Sequence, residues 1–163
     1  MKRKTVGFTL IEVTVAVAIM SVVMMTGPSI LTSVTRFTRL STARLETQRS
    51  AQNSLDRINR DLRQAVSNSI VITQETGQPY YSSIAFSTVD NRSLKYYQSG
   101  QNLYCVANGS TGTVAEGLTY VAFAYPRTDD PGIISVSLTF QKSTYQGGSK
   151  ALQMAIENVR VMN

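Results

Sequence analysis

Histidine and tryptophan are absent from this sequence, and cysteine occurs once. Without histidine there is no imidazole base, no Ser-His-Asp arrangement and none of the commonest zinc ligand. The lone Cys105 has no intramolecular partner, so the fold must hold without a disulfide. A free thiol in strand-like surroundings reads as a small buried hydrophobe, with intermolecular pairing as the alternative. Acids are the scarcer charge: Lys and Arg outnumber Asp and Glu by 16 to 10, a formal charge of +6. No constellation of catalytic groups stands out, so neither an enzyme activity nor a cofactor nor a metal is expected. At 163 residues the chain has room for one globular domain and an appendage.

What the sequence does have is a long apolar run near its start. From Phe8 to Met25 only Thr9, Glu12, Thr14 and Ser21 are polar. A helix over residues 8–27 would be about 30 Å long, the thickness of a bilayer's hydrocarbon core. Lys2, Arg3 and Lys4 precede it directly. Three readings compete. A secretory signal peptide needs a shorter run and a small-residue cleavage site at its end, and no A-x-A site stands there. A plain anchor would gain nothing from Glu12, since a carboxylate at membrane depth is costly and marks function by default. The third reading is a leader cut before the apolar run, which then stays in the mature protein.

The segment Lys2-Arg3-Lys4-Thr5-Val6-Gly7-Phe8-Thr9-Leu10-Ile11-Glu12 resembles the leader of type IV prepilins and type II secretion pseudopilins. The resemblance implies cleavage after Gly7 by a prepilin peptidase and N-methylation of the new terminal Phe8. It implies an assembly role for Glu12, at the fifth mature position. A free amine at Phe8 and the Glu12 carboxylate would lie one helical turn apart with opposite charge. Pairing Glu12 with the amine of a neighbouring subunit would remove two unpaired charges from an apolar bundle. Lys2, Arg3 and Lys4 would stay cytoplasmic, although Arg36, Arg39 and Arg44 beyond the span weaken that charge bias.

Gly27-Pro28 interrupts the run, and a proline inside a helix removes a hydrogen bond and kinks it. The family resemblance implies a bend or local melting there; a helix end at Thr26 is the local alternative. Beyond Leu40 the pattern turns amphipathic. Leu45, Ala51, Leu55, Ile58, Leu62 and Ala65 recur at helical spacing and predict a stripe laid against a sheet, with the helix reaching Ala65 or Val66. Asp56 with Arg60 and Arg57 with Asp61 sit at i,i+4 and are expected to pair.

After Ser67, runs of β-formers alternate with turn residues. Strands are predicted over 70–73, 83–88, 94–98, 103–107, 119–125, 134–141 and 153–161. The breaks include Asn108-Gly109, Gly100-Gln101-Asn102 and Asp129-Asp130-Pro131-Gly132. The fold class is therefore α+β and pilin-like: a long N-terminal helix, half transmembrane and half amphipathic, packed on an antiparallel β-sheet. The expected organisation is a leader at 1–7, a transmembrane or filament-core helix at 8–34, an amphipathic helix at 35–66 and an antiparallel β head at 67–163. Leu94-Lys95-Tyr96-Tyr97, then Leu103-Tyr104-Cys105-Val106, then Gly117-Leu118-Thr119-Tyr120-Val121-Ala122-Phe123-Ala124-Tyr125 is similar to W-type minor pilins and J-type minor pseudopilins. That likeness implies a low-abundance subunit that initiates or caps a filament. Its implied partners are other major and minor pilin subunits through the N-terminal helix, and inner-membrane lipid. A membrane-anchored periplasmic binding module without a filament is the alternative reading.

Other features carry less. Arg36, Arg39, Arg44, Arg49, Arg57, Arg60 and Arg63 could touch nucleic-acid phosphates, as in a competence-pilus subunit contacting DNA. Glu46, Asp56 and Asp61 interleave with them, so a solvated filament face is expected and DNA is not. Asp129-Asp130 lacks the further acids a Ca²⁺ site needs, and Asp-Pro-Gly is turn chemistry. Gly109 to Gly112 lacks the strand-loop-helix context of a phosphate loop. Tyr80-Tyr81 and Tyr96-Tyr97 read as sheet residues with wet hydroxyls.

Overall fold

The computed structural model describes residues 7, 9–144 and 150–161. It contains one long helix, α1 (Leu10–Arg63), a short 3₁₀ turn (Ser67–Ser69) and eight strands. The chain forms two compact units, Met1–Arg39 and Leu40–Asn163.

In the first unit the helix has no buried residue among those described. Its residues from Leu10 to Phe37 include 15 large exposed hydrophobics, such as Leu10 at 84% and Met25 at 85% exposure. Such a surface is unstable in water, so the sequence needs another solvent here. The helical state runs through Gly27 and Pro28. Pro28 still withdraws one backbone donor. Hydroxyls crowd this stretch and fold back on the helix: Ser29 Oγ donates to the Thr26 carbonyl at 2.8 Å and Thr32 Oγ1 to that of Pro28 at 2.8 Å.

In the second unit the same helix buries Ala43, Thr47, Ala51, Ser54, Leu55, Ile58, Asn59 and Leu62. The expected stripe holds from Ala51 to Ala65, but Leu45 is 56% exposed. At about 100° per residue, position 45 lies nearly opposite 43 and 47, and those two positions take the inner face. The helix stops at Arg63, and Ala65 instead bridges to Thr88.

The head contains two antiparallel sheets where one was expected. The first has the order β1 (Val71–Thr73), β2 (Ser83–Ser87), β3 (Ser93–Ser99), β4 (Asn102–Ala107) and β5 (Ser110–Glu116). The second has the order β6 (Leu118–Ala124), β7 (Ile133–Ser143) and β8 (Lys150–Arg160). Both are meanders, in which each strand pairs with the next. β5 escaped the sequence reading because Ser-Thr-Gly-Thr is small and polar, and its first four residues are exposed. The Asn108-Gly109 break is a tight hairpin turn, with φ of 50° and 86° at the two central residues. Asp130 makes the expected turn, its Oδ1 accepting from the Gly132 amide at 3.0 Å.

The core is a single cluster drawn from helix and both sheets, with Ile58, Leu62, Ile84, Leu103, Val121, Ile134 and Leu138 fully buried. Cys105 is buried in it as a free thiol. Where the two sheets meet, Gln98 acts as a stitch. Its Oε1 accepts from the Val121 amide at 2.9 Å, and its Nε2 donates to the carbonyls of Gly100 and Thr119 at 2.9 and 3.0 Å. Thr119 sits where the β6–β7 register shifts. A bulge leaves backbone groups without ladder partners, and the amide of Gln98 supplies one.

Two expectations about side chains are corrected. Tyr96 is fully buried, not wet, and its hydroxyl donates to Asp61 on the helix. Neither Asp56–Arg60 nor Arg57–Asp61 pairs among the described residues, and Asp61 turns to Tyr96. A long exposed side chain loses entropy on pairing, whereas a buried phenol must find an acceptor.

Candidate functional site

The sequence points to the start of α1 as the place where chemistry is done to the chain. Gly7 is exposed and lies outside the helix. Phe8 and residues 1–6, with Lys2, Arg3 and Lys4, lie outside the described residues. Thr9 is the residue just before the first helical position, and Glu12 is the third residue within the helix.

These two form a reciprocal cap. The Thr9 amide donates to Glu12 Oε2 at 2.8 Å, and the Thr9 hydroxyl donates to the same oxygen at 3.0 Å. The Glu12 amide lies 3.4 Å from Thr9 Oγ1, which accepts from it. This is a Thr-x-x-Glu capping box, which satisfies amides that a helix start leaves without partners. The carboxylate also sits at the positive end of the helix dipole. Thr-Leu-Ile-Glu carried the capping signature in the sequence; the reading of Glu12 as an assembly residue passed over Thr9.

The rest of the span hides its polarity. Thr14 Oγ1 donates to the Ile11 carbonyl at 2.9 Å, Ser21 Oγ to Val17 at 2.8 Å and Thr26 Oγ1 to Val22 at 3.1 Å. Each hydroxyl is thus satisfied within the helix, as an apolar surround demands. The helix has an 18-residue window of mean hydropathy 2.1, none of it buried, long and apolar enough to cross a membrane. Its only charged group between Leu10 and Thr35 is Glu12.

The family model of the prokaryotic N-terminal methylation motif matches residues 3–27. The chain therefore carries a prokaryotic N-terminal methylation motif, the kind of segment that opens prepilin-like chains, over residues 3–27. No curated protein matches it. The matched segment contains Gly7, Phe8 and Glu12, and also Gly27 at its last position. The apolar helix and the motif together fit a prepilin-like chain anchored in a membrane.

The seven arginines of the helix do not converge. All are exposed, and they are spread from Arg36 to Arg63. The head adds Arg92, whose Nη2 donates to Gln64 Oε1 at 3.2 Å and lies 3.6 Å from Asp90. Among the described residues no cluster of three or more His, Cys, Asp or Glu could hold a metal ion.

Proposed function

We propose that this chain is a minor pilin or pseudopilin, a structural subunit of a type IV pilus or type II secretion pseudopilus. A prepilin peptidase cuts it between Gly7 and Phe8 and methylates the new Phe8 amine. The leader with Lys2, Arg3 and Lys4 faces the cytoplasm, and the head lies across the inner membrane. The observation that carries this reading is the methylation motif over 3–27 joined to a span whose single charge is Glu12.

The capping box supports a specific division of labour. Both bonds from Thr9 land on Glu12 Oε2. Cleavage after Gly7 leaves the Phe8–Thr9 peptide bond intact, so the Thr9 amide remains a donor. Oε1 is then the oxygen that meets the amine of a neighbouring subunit. That pairing neutralises two charges in an apolar bundle and fixes the register of each added subunit. Gly27 and Pro28 give the helix a site where it bends within the filament.

The deciding experiment is the mass of the mature N-terminus, purified from cells with an active prepilin peptidase. A chain beginning at methylated Phe8 is expected. An intact Met1 overturns the reading. The assembly role is tested by Glu12→Ala, which is expected to be processed and inserted in the membrane but depleted from sheared filaments by tenfold or more, about 1.4 kcal/mol at each addition step.

A further inference from the structure

Among the described residues the head has four sheet edges, and three of them are blunted. β1 is three residues long. β5 begins with four exposed small residues, Ser-Thr-Gly-Thr, which offer nothing apolar to a partner. The free side of β6 is already bonded: the Leu118 amide donates to Gln101, the Phe123 amide to Tyr81, and Gln98 binds Val121 and Thr119. Short strands, polar edges and covered edges are the usual protections against pairing.

β8 is neither short nor covered by another strand, and its charged residues Lys150, Glu157 and Arg160 lie toward its ends, leaving an apolar middle. It is 11 residues long and pairs only with β7 among the described residues. Its other side offers a row of backbone donors and acceptors. Its outward residues Leu152, Met154 and Ile156 are 61%, 58% and 62% exposed. Across the sheet Leu152, Met154 and Ile156 continue into Gln141, Thr139 and Ser137 of β7, and the last two into Tyr120 and Ala122 of β6. Tyr80 stacks edge-on against Tyr120, with ring centroids 5.3 Å apart. No charged side chain lies among these residues. An open strand edge with exposed apolar residues at alternate positions, beside an uncharged face, selects an extended strand patterned in the same way.

We propose that β8 is a self-pairing edge, which joins to β8 of a second copy in antiparallel register about Met154. A two-fold axis at Met154 sets Met154 against itself and Leu152 against Ile156 on the outer face, with Gln153 against Ala155 on the inner. Every outer apolar residue of this stretch then meets another one. Centring on Ala155 instead sets Leu152 against the polar Asn158, and centring on Ile156 sets Leu152 against Arg160. The Met154 register is therefore the one the side chains favour. The result is a continuous six-stranded sheet with an apolar patch of Leu152, Met154 and Ile156 from both copies at its centre. The three side chains fall short of the roughly 800 Å² per partner of a standard interface. Backbone bonds along the edge supply part of the rest, and two chains held in one membrane meet at high effective concentration.

The test is disulfide trapping of the full chain in its native membranes. Strand pairs across a ladder are roughly 4.5–5.5 Å apart at Cα, which a disulfide spans. Met154→Cys is expected to give an oxidant-dependent homodimer at least tenfold above the unsubstituted chain, whose Cys105 is buried. Leu152→Cys alone and Ile156→Cys alone should give little, since each lies about 13 Å from its counterpart in this register. Co-expressing Leu152→Cys with Ile156→Cys should restore the cross-link. Adding Ile156→Lys to Met154→Cys should abolish it. The proposal is overturned if Met154→Cys stays monomeric, if all three single variants cross-link alike, or if Met154→Cys is trapped only on a different protein.

Discussion

One helix in this protein is built for two solvents. Before Arg39 no described residue of α1 is buried, yet the segment is rich in Val, Ile, Leu and Met. After Leu40 eight residues are buried, and the exposed positions carry Arg, Asp, Gln and Asn. Helical spacing is the same in both halves, but hydrophobicity surrounds the first and forms a stripe on the second. The difference teaches that the head obtains its stability from its own core, while the described residues of the first half have no core of their own. Identical substitutions in the two halves should therefore have unlike effects.

The largest effect is expected at Ile58, which is fully buried between helix and sheets. Ile58→Ala should lower the unfolding free energy of the head by about 2–5 kcal/mol. Ile19→Ala, at a position 60% exposed, should leave that value within about 0.5 kcal/mol. Denaturant melts of the full chain in mild detergent, followed by tyrosine fluorescence, measure both. Equal losses would mean that the first half of the helix is part of the head's cooperative unit.

The second comparison is between buried and exposed polar groups within the head. Gln98 is 3% exposed and holds three backbone groups at the meeting of the two sheets. Gln98→Leu keeps the volume but leaves the Val121 amide and two carbonyls without their partner. It should cost about 2–3 kcal/mol by the same melts. A loss below about 0.5 kcal/mol would show that solvent reaches this seam.

Much of this was readable in the amino-acid sequence because period and composition are local properties. The capping sequence Thr9 to Glu12, the span, the buried positions from Ala51 to Ala65 and the Asn108-Gly109 turn all declare themselves within a few residues. What stayed hidden depends on partners far along the chain. Nothing near Gln98 in the sequence marks it as a stitch, since Thr119 and Val121 lie 21 and 23 residues later. Asp61 reads as half of a helix ion pair until Tyr96 supplies a buried donor. The division into two sheets has no local mark either, since it rests on which strands fail to pair. Leu45 misled for a simpler reason: its hydrophobicity fits the stripe and its angular position does not.

The third prediction concerns Tyr96. Burial first, and then its bond to Asp61, push its phenol well above the ordinary value of 10.0. The unfolded chain would lose this proton near pH 10 while the fold still holds it. The fold then binds the extra proton, so this contribution is complete below about pH 10 and declines as pH rises further. Tyr96→Phe should cost about 1–2 kcal/mol at neutral pH by depriving Asp61 of its donor. It should also remove part of the head's alkaline loss between about pH 10 and 12. An unchanged alkaline profile in the variant would argue that Tyr96 is not the group responsible.

The smallest effect is expected on the head's outer surface, where Lys95 Nζ lies 2.6 Å from Glu75 Oε1 and 5.2 Å from the centre of the Tyr97 ring. The Lys95 hydrogen bond holds the Glu75 carboxyl below its ordinary range. A lowered carboxyl contributes stability above its unfolded value and loses it as pH falls, so this pair fades on acidification below about pH 4 to 5. Both side chains are partly exposed, at 43% and 27%, so solvent screens most of the attraction. Glu75→Gln should therefore cost only about 0.2–1 kcal/mol, and molar salt should erase most of it. A loss that persists in salt would place Glu75 with Gln98 and Tyr96, among polar groups that tie one part of the head to another. A loss that disappears leaves the head's stability in its core, which the exposed half of the helix lacks.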